Sequence, residues 1–317
     1  MIRLVVALLV GLLVLVDVAP AYAQNDDTMI VAQEAKRRTL FDLLFGNEPE
    51  PAPVQEQAPR RTQQQSAPAA ALPPPKPQVE KAPNATRLAV FGDSLAIDLS
   101  RALERLYAED PNLVVIDQGV SNSGFVRNDY FDWDAAITEQ IAADSFDLAV
   151  VIIGINDRQE ISVNGQDYNS LTDQWTAAYQ ARITAFLGKL RAARKPVIWV
   201  GLPPMSKTEY SAAISQISNI QRLASFSGGA EFLDIYERFL GEDGKYSSHG
   251  PDVNGQNARM RKDDGIHFSS AGADKLAFYL SQSIQSFYRG GGVTMAIADP
   301  LLGTEAAAML RPPYQGL

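Results

Sequence analysis

From Arg87 to Tyr288 the chain alternates short apolar runs with longer stretches in which apolar residues recur every three to four positions. No other feature restricts the fold so tightly. Continuous apolar runs suit strands buried on both faces, and the helical stretches between them are the crossovers that a parallel sheet requires. The expected strands are Leu88 to Phe91, Leu113 to Asp117, Leu148 to Ile153, Val197 to Gly201 and Glu231 to Ile235. Helical spacing is read from Leu99, Leu103 and Leu106, from Ile137 and Ile141, from Tyr179, Ile183, Phe186, Leu187 and Leu190, and from Leu276, Tyr279, Leu280, Ile284 and Phe287. Ser269 is the expected cap of the last helix. Five parallel strands wrapped by helices make an α/β domain, and sheets of this kind hold their ligands beyond the carboxyl ends of the strands.

The flanking sequence does not share the pattern. Arg3 precedes an apolar run from Leu4 to Val16, and Ala21-Tyr22-Ala23 supplies small residues where a signal peptidase reads them, so residues 1–23 are expected to be a leader cleaved after Ala23. That run is 13 residues long, short of the ~20 that a spanning helix needs. Ten of the nineteen prolines fall between Asn47 and Pro83, interleaved with Gln and Ala. Such a segment buries too little apolar surface to offset its ordering entropy, which makes residues 24–86 a semi-extended disordered tether. Within it, Lys36 to Phe45 carries Arg37, Arg38, Leu40, Phe41, Leu43, Leu44 and Phe45, a candidate docking patch for a cell-envelope partner. Residues 87–288 are the expected folded domain, and residues 289–317, which open on Gly290-Gly291-Gly292, a loose tail. The protein is accordingly expected to cross the inner membrane and to work in the periplasm or outside the cell.

Composition removes several classes of function. With 28 basic against 37 acidic side chains and a formal net charge of -9, the chain lacks the positive field with which a nucleic-acid binder displaces counterions from phosphate. It has no cysteine, which excludes disulfides, thiolate zinc sites and thiol nucleophiles.

Three strand ends carry polar groups suited to chemistry. The first strand runs into Gly92-Asp93-Ser94-Leu95 and then a helix, a junction at which Asp93 or Ser94 caps the helix or Ser94 projects its hydroxyl at the sheet edge beside free backbone N–H groups. The second is followed by Gln118-Gly119-Val120-Ser121-Asn122-Ser123-Gly124, and the third by Gly154-Ile155-Asn156-Asp157, where the Asn156 amide either shapes a turn or donates to a developing oxyanion. A serine nucleophile needs a base near neutral pH, and the chain offers only His249 and His267. His267 has Asp264 three residues ahead of it, close enough to hold the Nδ1 hydrogen and leave Nε2 for the Ser94 proton, with Asp263 as the fallback. His249 has no such partner and is expected to be a loop residue or a minor substrate contact. Neither histidine sits in a metal-ligand spacing, and no metal or cofactor is expected.

Taken in order, Gly92-Asp93-Ser94-Leu95, Ser123-Gly124, Gly154-Ile155-Asn156-Asp157 and Asp264-Gly265-Ile266-His267 resemble the four sequence blocks of the SGNH, or GDSL, hydrolase family. The Trp133 region and the stretch from Gly241 to Phe268 look like its secreted, proline-tethered DUF459 branch. The resemblance implies a three-layer α/β/α sandwich of the SGNH (flavodoxin-like) fold with a five-stranded parallel sheet. It implies Ser94 as nucleophile, His267 as base and Asp264 as the third catalytic residue. The oxyanion hole it implies is formed by the Ser94 and Gly124 N–H groups and the Asn156 side chain, Gly124 being preferred to Gly119 because it follows a serine as the family's second block does.

Together these readings lead to the expectation of a secreted serine esterase that removes O-acyl groups, acetyl first among them, from cell-envelope carbohydrate. An O-acyltransferase would use the same residues, and a catalytically silent glycan-binding or scaffold module is the non-enzymatic alternative. Tyr130, Phe131, Trp133, Tyr168 and Trp175 are placed either to stack on sugar rings or to pack the core.

Overall fold

The apolar run at Leu88 becomes an interior strand of the sheet, where every residue from Leu88 to Phe91 is buried. The computed structural model describes residues 79–288. In chain order these form β1 (Thr86–Gly92), α1 (Ser94–Leu106), β2 (Leu113–Gly119), α2 (Trp133–Ala142), β3 (Leu148–Ile152), β4 (Ile161–Val163), β5 (Gln166–Tyr168), α3 (Asp173–Ala192) and β6 (Val197–Val200). There follow α4 (Thr208–Gly228), β7 (Glu231–Leu233), a single 3-10 turn (Glu237–Phe239), β8 (His249–Pro251), β9 (Asn257–Arg259) and α5 (Ser270–Phe287).

Five strands join in one sheet in the order β2-β1-β3-β6-β7, and every pairing is parallel. All five residues of β3 are buried, which requires cover on both faces. That cover comes from α1 packed on α5 and from α3 packed between α2 and α4, so the expected three-layer α/β/α sandwich is what forms. The buried aromatics Phe125, Phe186 and Trp199 interlock, with Phe125 stacked on Trp199 at a centroid distance of 5.9 Å and set edge-on to Phe186 at 5.3 Å. Each such ring contributes about 1.5–3 kcal/mol through burial, and Phe125 thereby anchors the loop that follows β2.

Two small hairpins and one helix go beyond the periodicity of the sequence. β4 and β5 pair antiparallel across Asn164-Gly165, both at positive φ, as a tight hairpin turn demands. β8 and β9 form the second hairpin. The helix α4 has a buried face of Ala213, Ile214, Ile217, Gln221, Ala224, Ser225 and Gly228, too small and too polar to register as an apolar stripe. No helix among the described residues is long and apolar enough to cross a membrane.

The domain also begins earlier than the expected boundary at Arg87. Thr86 already belongs to β1, and the Val79 N–H donates to the Ala108 carbonyl at 3.2 Å. The Lys81 ammonium donates to the carbonyls of Tyr107 and Asp110 at 2.7 and 2.8 Å, a cation satisfying the open carbonyls past the end of α1. At the other end the Tyr288 hydroxyl donates to Asp110 Oδ2 at 3.1 Å. The expected leader, the docking patch, nearly all of the tether and the tail lie outside the described residues.

The strand order reverses between β1 and β3, with β2 on one side of β1 and β3 on the other. Parallel sheets open a crevice at such a reversal, at the carboxyl ends of the two strands. Gly92-Asp93-Ser94 leaves β1 there and Gly154-Ile155-Asn156 leaves β3 there.

Candidate active site

Gly92 starts the site because its backbone runs against β3. It has φ +145°, and a Cβ at that position would lie 1.8 Å from the Ile152 carbonyl oxygen. The next residue, Asp93, is fully buried. Its Oδ1 accepts the Leu95 N–H at 3.0 Å and caps α1, while Oδ2 accepts the N–H groups of Gly154 and Ile155 at 2.8 and 3.1 Å. Burial pushes the Asp93 carboxyl up to about 7 against the pull of those three N–H groups. Asp93 is therefore the cap, and Ser94 is left as the first residue of α1, its hydroxyl at the sheet edge.

The Ser94 hydroxyl lies 2.7 Å from His267 Nε2, and Asp264 Oδ2 lies 2.7 Å from His267 Nδ1. Asp264 Oδ1 accepts the N–H groups of Ile266 and His267 at 2.8 and 2.9 Å. Partial burial raises this carboxyl, but the two N–H groups and the imidazole outweigh it and hold it down at about 2. An ionised Asp264 can only accept, so Nδ1 carries the hydrogen and the Nε2 lone pair faces Ser94. The fallback Asp263 is turned away and pairs with Arg259.

The remaining expected residues gather at the same edge. The Asn156 amide donates to the Ser123 carbonyl at 2.9 Å, which spends one of its two Nδ2 hydrogens and fixes the plane of the other. The Gly119 N–H is taken by Asp117 Oδ1 at 2.9 Å, whereas the Gly124 N–H has no partner among the described residues. Gly124 is a glycine because a Cβ there would lie 2.0 Å from Asp157 Oδ1.

Asp157 is a residue that sequence reasoning missed. It is fully buried and accepts the N–H groups of Phe125 and Val126 at 3.2 and 3.0 Å and the Tyr179 hydroxyl at 2.8 Å. The Tyr179 oxygen in turn accepts from Gln221 Nε2 at 3.0 Å. Burial raises the Asp157 carboxyl. Asp93 and Asp157 thus tie the loops after β1, β2 and β3 together through backbone N–H groups; Asp93 was readable in the sequence as a candidate helix cap, Asp157 only as a neighbour of Asn156.

A buried cation flanks His267. Arg261 is 1% exposed, donates to the Ile266 carbonyl and lies over the Phe268 ring at 4.8 Å, gripping the residues on either side of His267. Burial lowers its guanidinium to about 10.

Some expectations are corrected. Trp133 and Trp175 are 4% and 0% exposed, and their indole N–H groups donate inward to Ser123 Oγ at 3.2 Å and to the Gln159 carbonyl at 2.8 Å. Both are core residues and offer no sugar platform. Tyr130 is 55% exposed, its hydroxyl donating to the Ser121 carbonyl. His249 is exposed and opens β8 rather than lying in a loop, its Nδ1 3.0 Å from Ser248 Oγ. Among the described residues no group of three or more His, Asp or Glu side chains is arranged to hold a metal. A hollow of about 410 Å³ between α2, α3 and the β4–β5 hairpin has Gly124 on its wall but not Ser94 or His267.

A five-stranded parallel sheet with Gly-Asp-Ser-Leu after β1, glycine after β2, asparagine after β3 and Asp-x-x-His before the last helix is the arrangement in which this chain resembles the SGNH, or GDSL, hydrolases. The family described as "Protein of unknown function (DUF459)" matches residues 87–283, well over half of the chain, and the protein belongs to that family. A comparison with curated proteins finds no match. Among solved structures the chain is similar to a GDSL-like lipase from Bacteroides thetaiotaomicron, with 15% identity and a TM-score of 0.47 over 65% of this chain and 91% of the other. It is similar to an acetylxylan esterase from Geobacillus stearothermophilus, with 16% identity and a TM-score of 0.44 over 65% and 96% of the two chains.

Proposed function

We propose that the protein is a serine ester hydrolase that works through an acyl-enzyme. The observation that carries this reading is the unbroken hydrogen-bonded line from Ser94 Oγ through His267 to Asp264, with 2.7 Å at both steps. In the first half-reaction Ser94 Oγ attacks an ester carbonyl while its proton passes to His267 Nε2. The carbonyl oxygen becomes an oxyanion facing the N–H groups of Ser94 and Gly124 and the free hydrogen of the Asn156 amide. Asp264 stabilises the imidazolium without taking its proton. Collapse returns the Nε2 proton to the departing alkoxide, which leaves as the alcohol. Water then replaces the alcohol, gives a proton to Nε2 and attacks the acyl-enzyme; when Ser94 is released it recovers that proton, and the carboxylic acid leaves.

The substrate we infer is an O-acyl ester, acetyl first among them, on cell-envelope carbohydrate, met in the periplasm or outside the cell. Support comes from the leader and the proline-rich segment of the sequence, and from a net charge of -9 that offers no attraction to anionic lipid. A fluorophosphonate probe tests the chemistry. Labelling of the wild type that vanishes in Ser94→Ala is expected, and a folded wild type that takes no label would reduce the domain to a binding or scaffold module. Acetate release from an acetylated glycan, measured with and without an acceptor sugar, tests the substrate and separates hydrolysis from acyl transfer.

A further inference from the structure

Ser94 and Asp98 stand one turn apart on the same side of α1, and the loop that carries His267 is bonded to both. Ser94 Oγ meets His267 Nε2 at 2.7 Å, and Asp98 Oδ1 receives Lys262 Nζ, also at 2.7 Å. On the loop side the Lys262 N–H donates to the His267 carbonyl at 2.8 Å. The four residues therefore close a ring: one side is a helical turn, the opposite side a backbone hydrogen bond, and the two rungs are the Ser94–His267 and Asp98–Lys262 contacts.

We propose that Asp98 and Lys262 are positioning residues that set the distance between Ser94 Oγ and His267 Nε2. The role is one of registration rather than of stability. The Lys262 side chain is 48% exposed, and ion pairs so open to water hold a fold together weakly. Asp98, by contrast, is 8% exposed, and its Oδ2 is buried without a partner, so this carboxylate is committed to the single partner that the loop brings. Arg261, next to Lys262, grips Ile266 and Phe268, and Arg105 at the far end of α1 pairs with Asp274 of α5 at 2.6 Å. The base loop is tied at the start of α5, where the Ser269 N–H donates to the Met260 carbonyl at 3.0 Å, and the Asp98–Lys262 pair ties it to the helix that carries Ser94. The hydroxyl and the imidazole must be in contact when the carbonyl is attacked, and a misplacement of about 1 Å is enough to cost up to ~100-fold in rate.

This inference rests on the reading of Ser94 as nucleophile, and the rate of fluorophosphonate labelling tests the two separately. In the full chain, Lys262→Met and Asp98→Asn are each expected to label about 10- to 100-fold more slowly than wild type in the maximal rate, with half-saturating probe concentration unchanged in both and melting temperature unchanged in Asp98→Asn, which leaves no buried charge unpaired. The double variant is expected to be no slower than either single one, because both remove the same rung. Lys262→Arg, which restores the cation, is expected to recover the rate. Labelling of folded Lys262→Met and Asp98→Asn at the wild-type rate overturns the proposal while leaving the hydrolase reading intact, as do losses that multiply in the double variant. Absence of labelling in the wild type overturns the hydrolase reading itself. If Lys262→Met fails to fold, the near-isosteric Asp98→Asn decides, and loss of the fold in that variant as well overturns the positioning role in favour of a structural one.

Discussion

The Asp93 carboxylate holds the Gly154 N–H at 2.8 Å, which joins the residue immediately before Ser94 to the loop that carries Asn156. One buried side chain therefore sets the relative position of a candidate nucleophile and a candidate oxyanion donor. Asp93→Ala would leave the N–H groups of Leu95, Gly154 and Ile155 without their acceptor in a site closed to water. The expected cost is about 3 kcal/mol or more in unfolding free energy, read from denaturant melts, with loss of probe labelling. An Asp93→Ala protein as stable as wild type would show that the cap and the two N–H contacts carry no weight.

Asn156→Ala separates chemistry from folding. It removes one weakly stabilising bond to the Ser123 carbonyl, of order 1 kcal/mol, but it also removes the proposed oxyanion donor, for which ester turnover should fall about 10²- to 10³-fold. Steady-state hydrolysis of an aryl acetate alongside a thermal melt checks both halves, and turnover within a few-fold of wild type would remove Asn156 from the oxyanion hole.

Gly124→Ala puts a methyl group where Asp157 Oδ1 now sits, since the added Cβ would be 2.0 Å away. The loop after β2 must move or Asp157 must release Phe125 and Val126. Roughly 1–3 kcal/mol of stability should be lost, together with most of the activity, whereas Gly250→Ala, where the added carbon would meet only Met260 Cγ at an ordinary 3.7 Å, should leave turnover unchanged. A fully active Gly124→Ala would place the second backbone donor elsewhere.

Stability should respond to pH through carboxyls shifted in opposite directions, Asp93 and Asp157 upward and Asp264 downward. Asp93, raised from 3.8 to about 7 by burial, binds its proton more tightly folded than unfolded, so its contribution is complete below about pH 4 and is lost as pH rises toward about 7. Asp264, held at about 2, acts in the other direction, stabilising above about pH 4 and losing that contribution as pH falls toward 2. Urea melts between pH 4 and 7.5 should show a decline in the wild type that is shallower in Asp93→Asn. Parallel slopes in the two proteins would contradict the raised carboxyl.

The sheet was legible because its strands are buried on both faces and so read as unbroken apolar runs, and the Ser94, Asn156 and His267 blocks were legible because each follows a strand or precedes a helix at a fixed offset. What stayed hidden has a physical cause in each case. The inward face of α4 includes Gln221, Ser225 and Gly228, which leave no apolar period to read. β4, β5, β8 and β9 are three residues each, too short for an alternation to register. Asp93 and Asp157 act on backbone N–H groups of distant segments, and a backbone N–H has no letter in the sequence. Trp133 and Trp175 are ambiguous letters, since a large ring serves a core or a sugar equally well, and only the inward course of their indole hydrogens decides between the two.

The docking of Val79 and Lys81, and of Tyr288, on the turn at 107–110 carries a consequence for how such an enzyme would be presented. Both ends of the domain meet at the amino-terminal pole of the sheet, while the reactive rim lies at the opposite pole. Anything that holds the domain by either end holds it by the handle, with its working edge pointing outward.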